Sequence, residues 1–225
     1  MRIIDTIYVN GEFVTPHGRE PLVLVDPATE RETTTVILAD ETDARRAIAA
    51  AKAAFPAFSQ STREQRMDWL QRLSDAVAAA EADIVEAMIA EYGGTTAMAT
   101  GTARRAAASF ALARKLLAGY AFEREVGGAR VRMVPHGVVG MITPWNANIG
   151  FIASKLAMAI AAGSTAVVKP SELSAAQTDL IARVLHRAGL PPGVFNIVTG
   201  RGDTVGAEIA RHPDIAKISF TGSTA

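Results

Sequence analysis

The chain has 225 residues, with 23 basic and 23 acidic side chains and 49% hydrophobic positions. Balanced charge gives no electrostatic case for nucleic acid or an anionic membrane, and the apolar share is enough for a substantial core. The absence of cysteine excludes disulfides, thiolate metal sites and a cysteine nucleophile within these residues, and His17, His136, His186 and His212 lack metal-ligand spacing.

Asp5, Asn10 and Glu12 interrupt any apolar run near the start, so no signal peptide is expected. The longest uncharged apolar stretch, between Lys155 and Lys169, is too short to span a bilayer. A soluble, cytoplasmic protein is the expectation. Residues 7–14 place apolar positions around Asn10-Gly11, a hairpin signal. Residues 21–25, closed by Asp26-Pro27, and 36–38 read as further strands. Asp40 precedes a helix over 42–55 that Pro56 is expected to stop. Ser61 with Glu64 reads as a capping box for the next helix, in which Trp69, Leu70, Leu73 and Val77 share a face. A third helix, 82–92, meets Gly93-Gly94, and a fourth covers about 100–120. The doublets Arg45-Arg46 and Arg104-Arg105 fall on solvated helix faces. Residues 126–134, centred on Gly127-Gly128, form another expected hairpin.

The pattern changes at His136. Apolar runs at 138–142, 165–168, 195–198 and 217–220 alternate with helical stretches at 149–162, 175–188 and 204–211. That alternation predicts a parallel sheet covered on both faces, with right-handed crossovers. The expected class is α/β: a Rossmann-like open parallel sheet with flanking helices, preceded by an N-terminal hairpin and helical segment. The expected divisions are 1–125, 126–136 and 137–225.

In such sheets ligands bind beyond the carboxyl ends of the strands. Four polar or glycine-rich segments follow the strands: Thr143-Pro144-Trp145-Asn146, Lys169-Pro170-Ser171-Glu172, the run from Gly200 to Gly206, and Thr221-Gly222-Ser223-Thr224. All four are expected at one rim. The Gly200–Gly206 run has the spacing G-x-G-x-x-x-G. It serves either as a plain tight turn or as room for a cofactor at Gly202 and Gly206. Glu172 is placed to accept from ribose hydroxyls, with Lys169 beside it. Alternatively Ser171 or Ser174 caps the next helix and Glu172 favours its positive end. A carboxylate there disfavours a 2′-phosphate and the lysine favours one. The balance leans to NAD, with NADP left open. Asn146 reads either as a helix N-cap or as a donor to an oxyanion. Lys155 reads either as a lysine reaching to solvent or as a buried amine that relays protons.

Taken together, Ile142-Thr143-Pro144-Trp145-Asn146, Lys169-Pro170-Ser171-Glu172, Gly202 with Gly206, and Phe220-Thr221-Gly222-Ser223 resemble the aldehyde dehydrogenase superfamily. Lys155 lies nine residues past Asn146, as in that family. Val138-Val139-Gly140, Leu190-Pro191-Pro192-Gly193-Val194-Phe195-Asn196 and Tyr8-Val9-Asn10-Gly11-Glu12-Phe13 match as well. The resemblance implies NAD(P)-dependent oxidation of an aldehyde to a carboxylic acid. By it, Asn146 and Lys155 are catalytic: Asn146 donates to the oxyanion and Lys155 sits near the thiol as a proton relay. Lys169, Ser171 and Glu172 fall in the segment that holds the adenosine ribose. Gly202, Gly206, Gly222 and Ser223 line the adenine and pyrophosphate path, with Phe220 and Thr221 in the same motif. Ile142, Thr143, Pro144 and Trp145 belong to the nicotinamide floor segment.

The departures shape the expectation. The family's Glu-Leu-Gly-Gly-Lys segment and its cysteine do not occur in these residues, and members run roughly twice this length. Ala147-Asn148 stand where many members have Phe-Pro. The resemblance therefore implies an N-terminal, cofactor-binding half with the catalytic domain absent, inactive by itself. The intact enzyme would take a small-molecule aldehyde and form a homo-oligomer, with the 126–134 hairpin as the pairing arm. The competing readings are a non-enzymatic NAD-binding or subunit-interaction module, and one half of a split enzyme.

Overall fold

In a computed structural model that describes residues 2–223, the chain opens with β1 (Arg2–Ile4), β2 (Ile7–Val9) and β3 (Glu12–Val14). Asn10 and Gly11 both take positive φ, 55° and 83°, the conformation a two-residue hairpin turn requires. The expected hairpin forms, but it does not precede the main sheet as a separate unit. β2 pairs antiparallel with β10 (Phe195–Ile197), Tyr8 opposite Ile197, so the hairpin extends the sheet edge. The main sheet runs β11-β8-β9-β10-β2-β3 and is mixed. Its four strands β8 (Val138–Ile142), β9 (Thr165–Lys169), β10 and β11 (Ile215–Phe220) are parallel, as expected. β4 (Glu20–Val25) and β5 (Glu32–Leu38) pair antiparallel, and β1 adds parallel to β5, in a second, three-stranded sheet. β5 is longer than the apolar 36–38 run because Thr34 takes an inward position of its alternating pattern.

α1 (Glu41–Ser59) starts at Asp40, whose carboxylate accepts from the Thr42 and Asp43 amides. Pro56 lies inside this helix and does not stop it. A proline interrupts one bond to the carbonyl four residues back. Here that loss falls in the last turn, which buried Phe58 anchors to the core. α2 (Arg63–Ala79) is capped by Thr62 with Gln65, one residue beyond the expected Ser61–Glu64 pair. The Ser61 hydroxyl instead donates to the Phe58 carbonyl and closes α1. α3 (Glu81–Tyr92) ends at Gly93 in the left-handed conformation, and α4 (Thr96–Gly119) starts ahead of the expected position because Thr95 caps it. β6 (Glu123–Val126) and β7 (Ala129–Arg132) form the second hairpin, largely exposed, turning at Gly127-Gly128.

α5 (Asn148–Ala162) and α6 (Ala175–Arg187) join the parallel strands, as does α7 (Ala207–Arg211). The expected helix over 204–211 is a wide turn at 202–206 followed by the short α7. The Val205 and Gly206 amides both donate to the Arg201 carbonyl, at 3.0 and 3.2 Å. Val139, Met141, Ala166 and Val168 face a core shared with α2, α4, α5 and α6. Val138, Val167 and Val198 face α1 and α7 on the other side. Two-sided cover therefore holds for β8, β9 and β10 but not for β11, where Ile218 and Phe220 are exposed. No helix of the described residues is long and apolar enough to cross a membrane.

Candidate functional site

The carboxyl ends of the parallel strands meet at one rim. The Thr143 amide donates to the Lys169 carbonyl at 3.1 Å, tying the end of β8 to the end of β9. The Thr221 amide donates to the Ile142 carbonyl at 3.0 Å, tying β11 to β8. The segment after β10 completes the group: a Cβ built on Gly206 would lie 3.8 Å from Lys169 Cδ and 3.9 Å from Ile142 Cδ1. Backbone bonds thus hold Ile142, Thr143, Lys169 and Thr221 together, with Gly206 close beside them.

The glycines after β10 separate into two kinds. A Cβ on Gly200 would collide with the Ala39 carbonyl oxygen at 2.7 Å and with Val205 Cγ2 at 2.4 Å, so the fold itself demands glycine there. Gly206 has αR backbone angles, and its imagined Cβ meets only ordinary van der Waals contacts. A Cβ on Gly202 would meet nothing within 4 Å. The plain-turn reading therefore accounts for Gly200 and leaves Gly202 and Gly206 unexplained by the chain's own packing. Gly222 is restricted only by the exposed Phe220 ring, whose Cζ would lie 2.6 Å from a Cβ.

Lys169 is buried, and its Nζ pairs with Glu172 Oε2 at 3.0 Å. Glu172 opens a single turn, 172–174, in which the Ser171 hydroxyl accepts from the Leu173 amide. The capping alternative thus holds for Ser171 at this turn, while Ser174 makes no side-chain cap for α6. That role belongs to Glu91 of α3, whose carboxylate accepts from the Ala176 and Gln177 amides at 2.7 and 3.0 Å. Burial raises the Glu91 carboxyl above its ordinary value, and these amides pull the other way.

Pro144 is half-buried, and Trp145 and Asn146 are exposed between β8 and α5. Trp145 packs edge-on against Tyr92, ring centres 5.3 Å apart. The N-cap alternative for Asn146 fails: the cap residue of α5 is Ala147, with no side-chain cap bond. The first residue of α5, Asn148, is buried and bonded to Thr143 and Thr178.

Lys155 does not simply extend into water. Its Nζ donates to Ser219 Oγ of β11 at 2.8 Å, and burial lowers its pKa below the ordinary lysine value. It lines a cleft of about 300 Å³ with Val139, Met141, Met158, Lys217 and Ser219 on the face of the sheet. Asn146 is not part of that lining, so Lys155 is joined to the rim through β11 and not to Asn146 itself. Phe220, Gly222 and Ser223 are exposed at the β11 end of the rim, and Thr224 lies outside the described residues.

An arginine–carboxylate pair lies beside the segment after β10. Arg201 Nε donates to Glu20 Oε1 at 2.9 Å, which lowers the Glu20 carboxyl. Among the described residues no cluster of histidine and carboxylate side chains could hold a metal ion. Two elements of this region escape sequence reasoning, the Glu91 cap and the Asn148 network, because their partners are distant along the chain.

The model of the aldehyde dehydrogenase family matches residues 13–225. The chain belongs to that family. It is 38% identical over its whole length to a 3-succinoylsemialdehyde-pyridine dehydrogenase from a Pseudomonas species, of which it covers 47%. The crystal structure of a mutant aldehyde dehydrogenase C from Pseudomonas syringae, complexed with NAD+ and octanal, superposes with a TM-score of 0.92. That comparison has 39% identity and covers 95% of this chain and 44% of the other. An aldehyde dehydrogenase from Bartonella henselae gives 0.95 at 31% identity, covering all of this chain and 48% of the other. The chain spans about half the length of the curated relatives it matches.

Proposed function

We propose that these residues form the NAD-binding half of an enzyme that oxidises an aldehyde to its carboxylic acid. The observation that carries the reading is the pair Gly202 and Gly206. Their smallness serves no internal contact, and Gly206 sits where the ends of β8 and β9 meet, with Gly202 earlier in the same turn and open to space. Room left at a strand-to-helix turn on the rim of a parallel sheet suits a pyrophosphate approaching the backbone. Bound NAD supplies the hydride acceptor.

The chain's own residues then take these roles. Glu172, held by Lys169, accepts from the ribose hydroxyls. Because the Lys169 ammonium is already paired to that carboxylate, it is not free to hold a 2′-phosphate, which favours NAD over NADP. Gly202, Gly206, Gly222 and Ser223 leave a path for the diphosphate and adenine, beside Ser171, Phe220 and Thr221. Ile142, Thr143, Pro144 and Trp145 floor the nicotinamide. Asn146 has a free side-chain amide that donates to an oxyanion of the aldehyde carbon. Lys155, with its lowered pKa, holds or releases a proton at Nζ beside the cleft. That the Pseudomonas syringae relative was solved with NAD+ and octanal supports NAD as the cofactor and an aldehyde as the substrate class.

The residues present carry no thiol for attack on an aldehyde, so the chain by itself binds cofactor and does not turn over. Calorimetric titration with NAD is expected to give one saturable site, weakened at least about ten-fold by Gly206→Val, which fills the space with a branched side chain. Mixing the pure chain with propanal and NAD is expected to yield no NADH. NAD binding unchanged by Gly206→Val would overturn the cofactor reading, and NADH production would overturn the inactivity. A second reading rests on the exposed β6–β7 hairpin. In it the chain pairs with an intact relative as a subunit-interaction module, and deletion of residues 124–131 abolishes that pairing in sedimentation.

A further inference from the structure

We infer that Asn148 is a positioning residue whose buried amide clamps the loop carrying Trp145 and Asn146 to the turn carrying Glu172. The inference rests on the cofactor reading above for its meaning in function, but the clamp itself is geometric. Trp145 and Asn146 are exposed, and among the described residues neither forms a side-chain hydrogen bond that would hold the loop. Apart from the Tyr92 ring against Trp145, the loop's shape is therefore set at its two ends.

At one end the Thr143 amide is tied to Lys169. At the other sits Asn148, fully buried at the first position of α5. Its Oδ1 accepts from Thr143 Oγ1 at 3.1 Å, which closes the loop into a ring. Its Nδ2 donates to Thr178 Oγ1 of α6 at 2.8 Å. Thr178 Oγ1 gives its own proton to the Ser174 carbonyl at 2.8 Å. A hydroxyl has one proton, so Thr178 can only accept from Asn148. That fixes which end of the amide faces which neighbour. Ser174 donates in turn, through both its amide and its hydroxyl, to the Ser171 carbonyl.

Donors therefore run in one direction, from Thr143 through Asn148, Thr178 and Ser174 to Ser171. The relay begins at the base of the Asn146 loop and ends in the turn that opens with Glu172. A proline at this first helical position restrains its own φ only. The amide restrains the loop and also joins it to α6, so the two halves of the rim keep a fixed spacing. Because the relay is buried, each missing member leaves a polar neighbour unpaired, and its effect is cooperative.

The test uses the full chain with Trp69→Phe, leaving Trp145 as the reporter. Asn148→Ala, Thr178→Val and their double variant are compared with Thr178→Ser, which keeps the hydroxyl. Ser74→Ala is the control. It removes a buried hydroxyl bond to the Ala107 carbonyl, between α2 and α4 and outside the relay. Without ligand, Asn148→Ala and Thr178→Val are expected to raise acrylamide quenching of Trp145. With NAD, each is expected to weaken binding about three- to ten-fold, as the competent loop falls to a third or a tenth of the population. The double variant is expected to be no worse than the worse single, and Thr178→Ser close to the parent. Ser74→Ala is expected to lower the melting temperature and to leave quenching and affinity unchanged.

Strictly additive singles, or a Ser74→Ala effect equal to that of Asn148→Ala, would overturn the clamp. If the parent chain binds no NAD, the cofactor reading falls. The ligand-free quenching then still decides the clamp, which unchanged quenching in both singles refutes. If Asn148→Ala does not fold, the contrast between Thr178→Val and Thr178→Ser carries the same decision.

Discussion

β9 and β11 flank the same strand and both pair parallel with β8, β11 with one register shift between Ile215 and Lys217. Every residue of β9 is buried, whereas Phe220 of β11 is 57% exposed and Ile218 is 36% exposed. Backbone pairing is the same kind of interaction in the two strands, so the difference lies in what covers their faces. α1 and α5 close over β9. β11 has α7 on one face and, on the other, the cleft into which Lys155 reaches. Cooperative stability is thus concentrated in β8, β9 and β10. The β11 end of the rim rests on ladder bonds and on a few polar contacts.

The largest expected effect breaks the comparison directly. Val167→Asp puts an unpaired carboxylate into a fully buried position of β9. A buried unpaired charge costs more than about 4 kcal/mol, which approaches the whole stability of many domains of this size. Loss of the cooperative melt in circular dichroism is expected. Ile218→Asp in β11 is expected to cost clearly less, about 1–2 kcal/mol, because more than a third of its side chain is exposed and the carboxylate can reach water. Equal damage from the two would mean that β11 is as deeply committed to the core as β9.

A smaller effect sharpens the contrast between helix starts. α1 is capped from within by Asp40, one residue before it begins. α6 has no cap of its own and borrows Glu91 from α3, 85 and 86 positions away. Glu91→Ala is expected to cost about 1–2 kcal/mol, the usual loss for a cap. Amide exchange should speed up at Ala176 and Gln177 before the rest of α6. Unchanged exchange there would show that the carboxylate does not hold the helix start.

The same contrast explains how much was legible in the sequence. Asp40 and Gly93 mark helix ends through bonds to near neighbours, and their residue types alone pointed to them. Gly127-Gly128 marked its hairpin for the same reason. Pro56 misled because local rules do not register that Phe58, two residues on, is anchored in the core. Ser61 and Thr62 are both capable caps, and only the path of α1 decides between them. The hairpin at 7–14 was visible, but its union with β10 depends on Tyr8 meeting Ile197, a pairing no local pattern encodes. The rim was legible because a parallel sheet sends every post-strand segment to one side. Glu91 and Asn148 were not, since each matters through partners on another helix. Sequence placed Gly200, Gly202 and Gly206 in one run, and only the packing around each divides them.

The smallest effect concerns α7, the short helix behind β11. Glu208 is enclosed, and its oxygens accept from Arg45 of α1 and from Arg211. Those guanidinium groups hold its carboxyl down to about 2, from an ordinary value of 4.5. A carboxyl lower in the folded state than in the unfolded chain contributes stability that is complete above pH about 4.5. As the pH falls from there toward 2 the unfolded chain takes up the proton first, and the contribution is lost. Both arginines face water, so screening limits the contribution to about 1 kcal/mol or less. Urea unfolding of the parent and of Glu208→Gln should therefore differ at pH 6, differ less at pH 3 and converge only near pH 2, with the gap at pH 6 shrinking in molar salt. A gap that stays the same across these pH values would mean that α7 is held by Ile209 in the core and not by its charge.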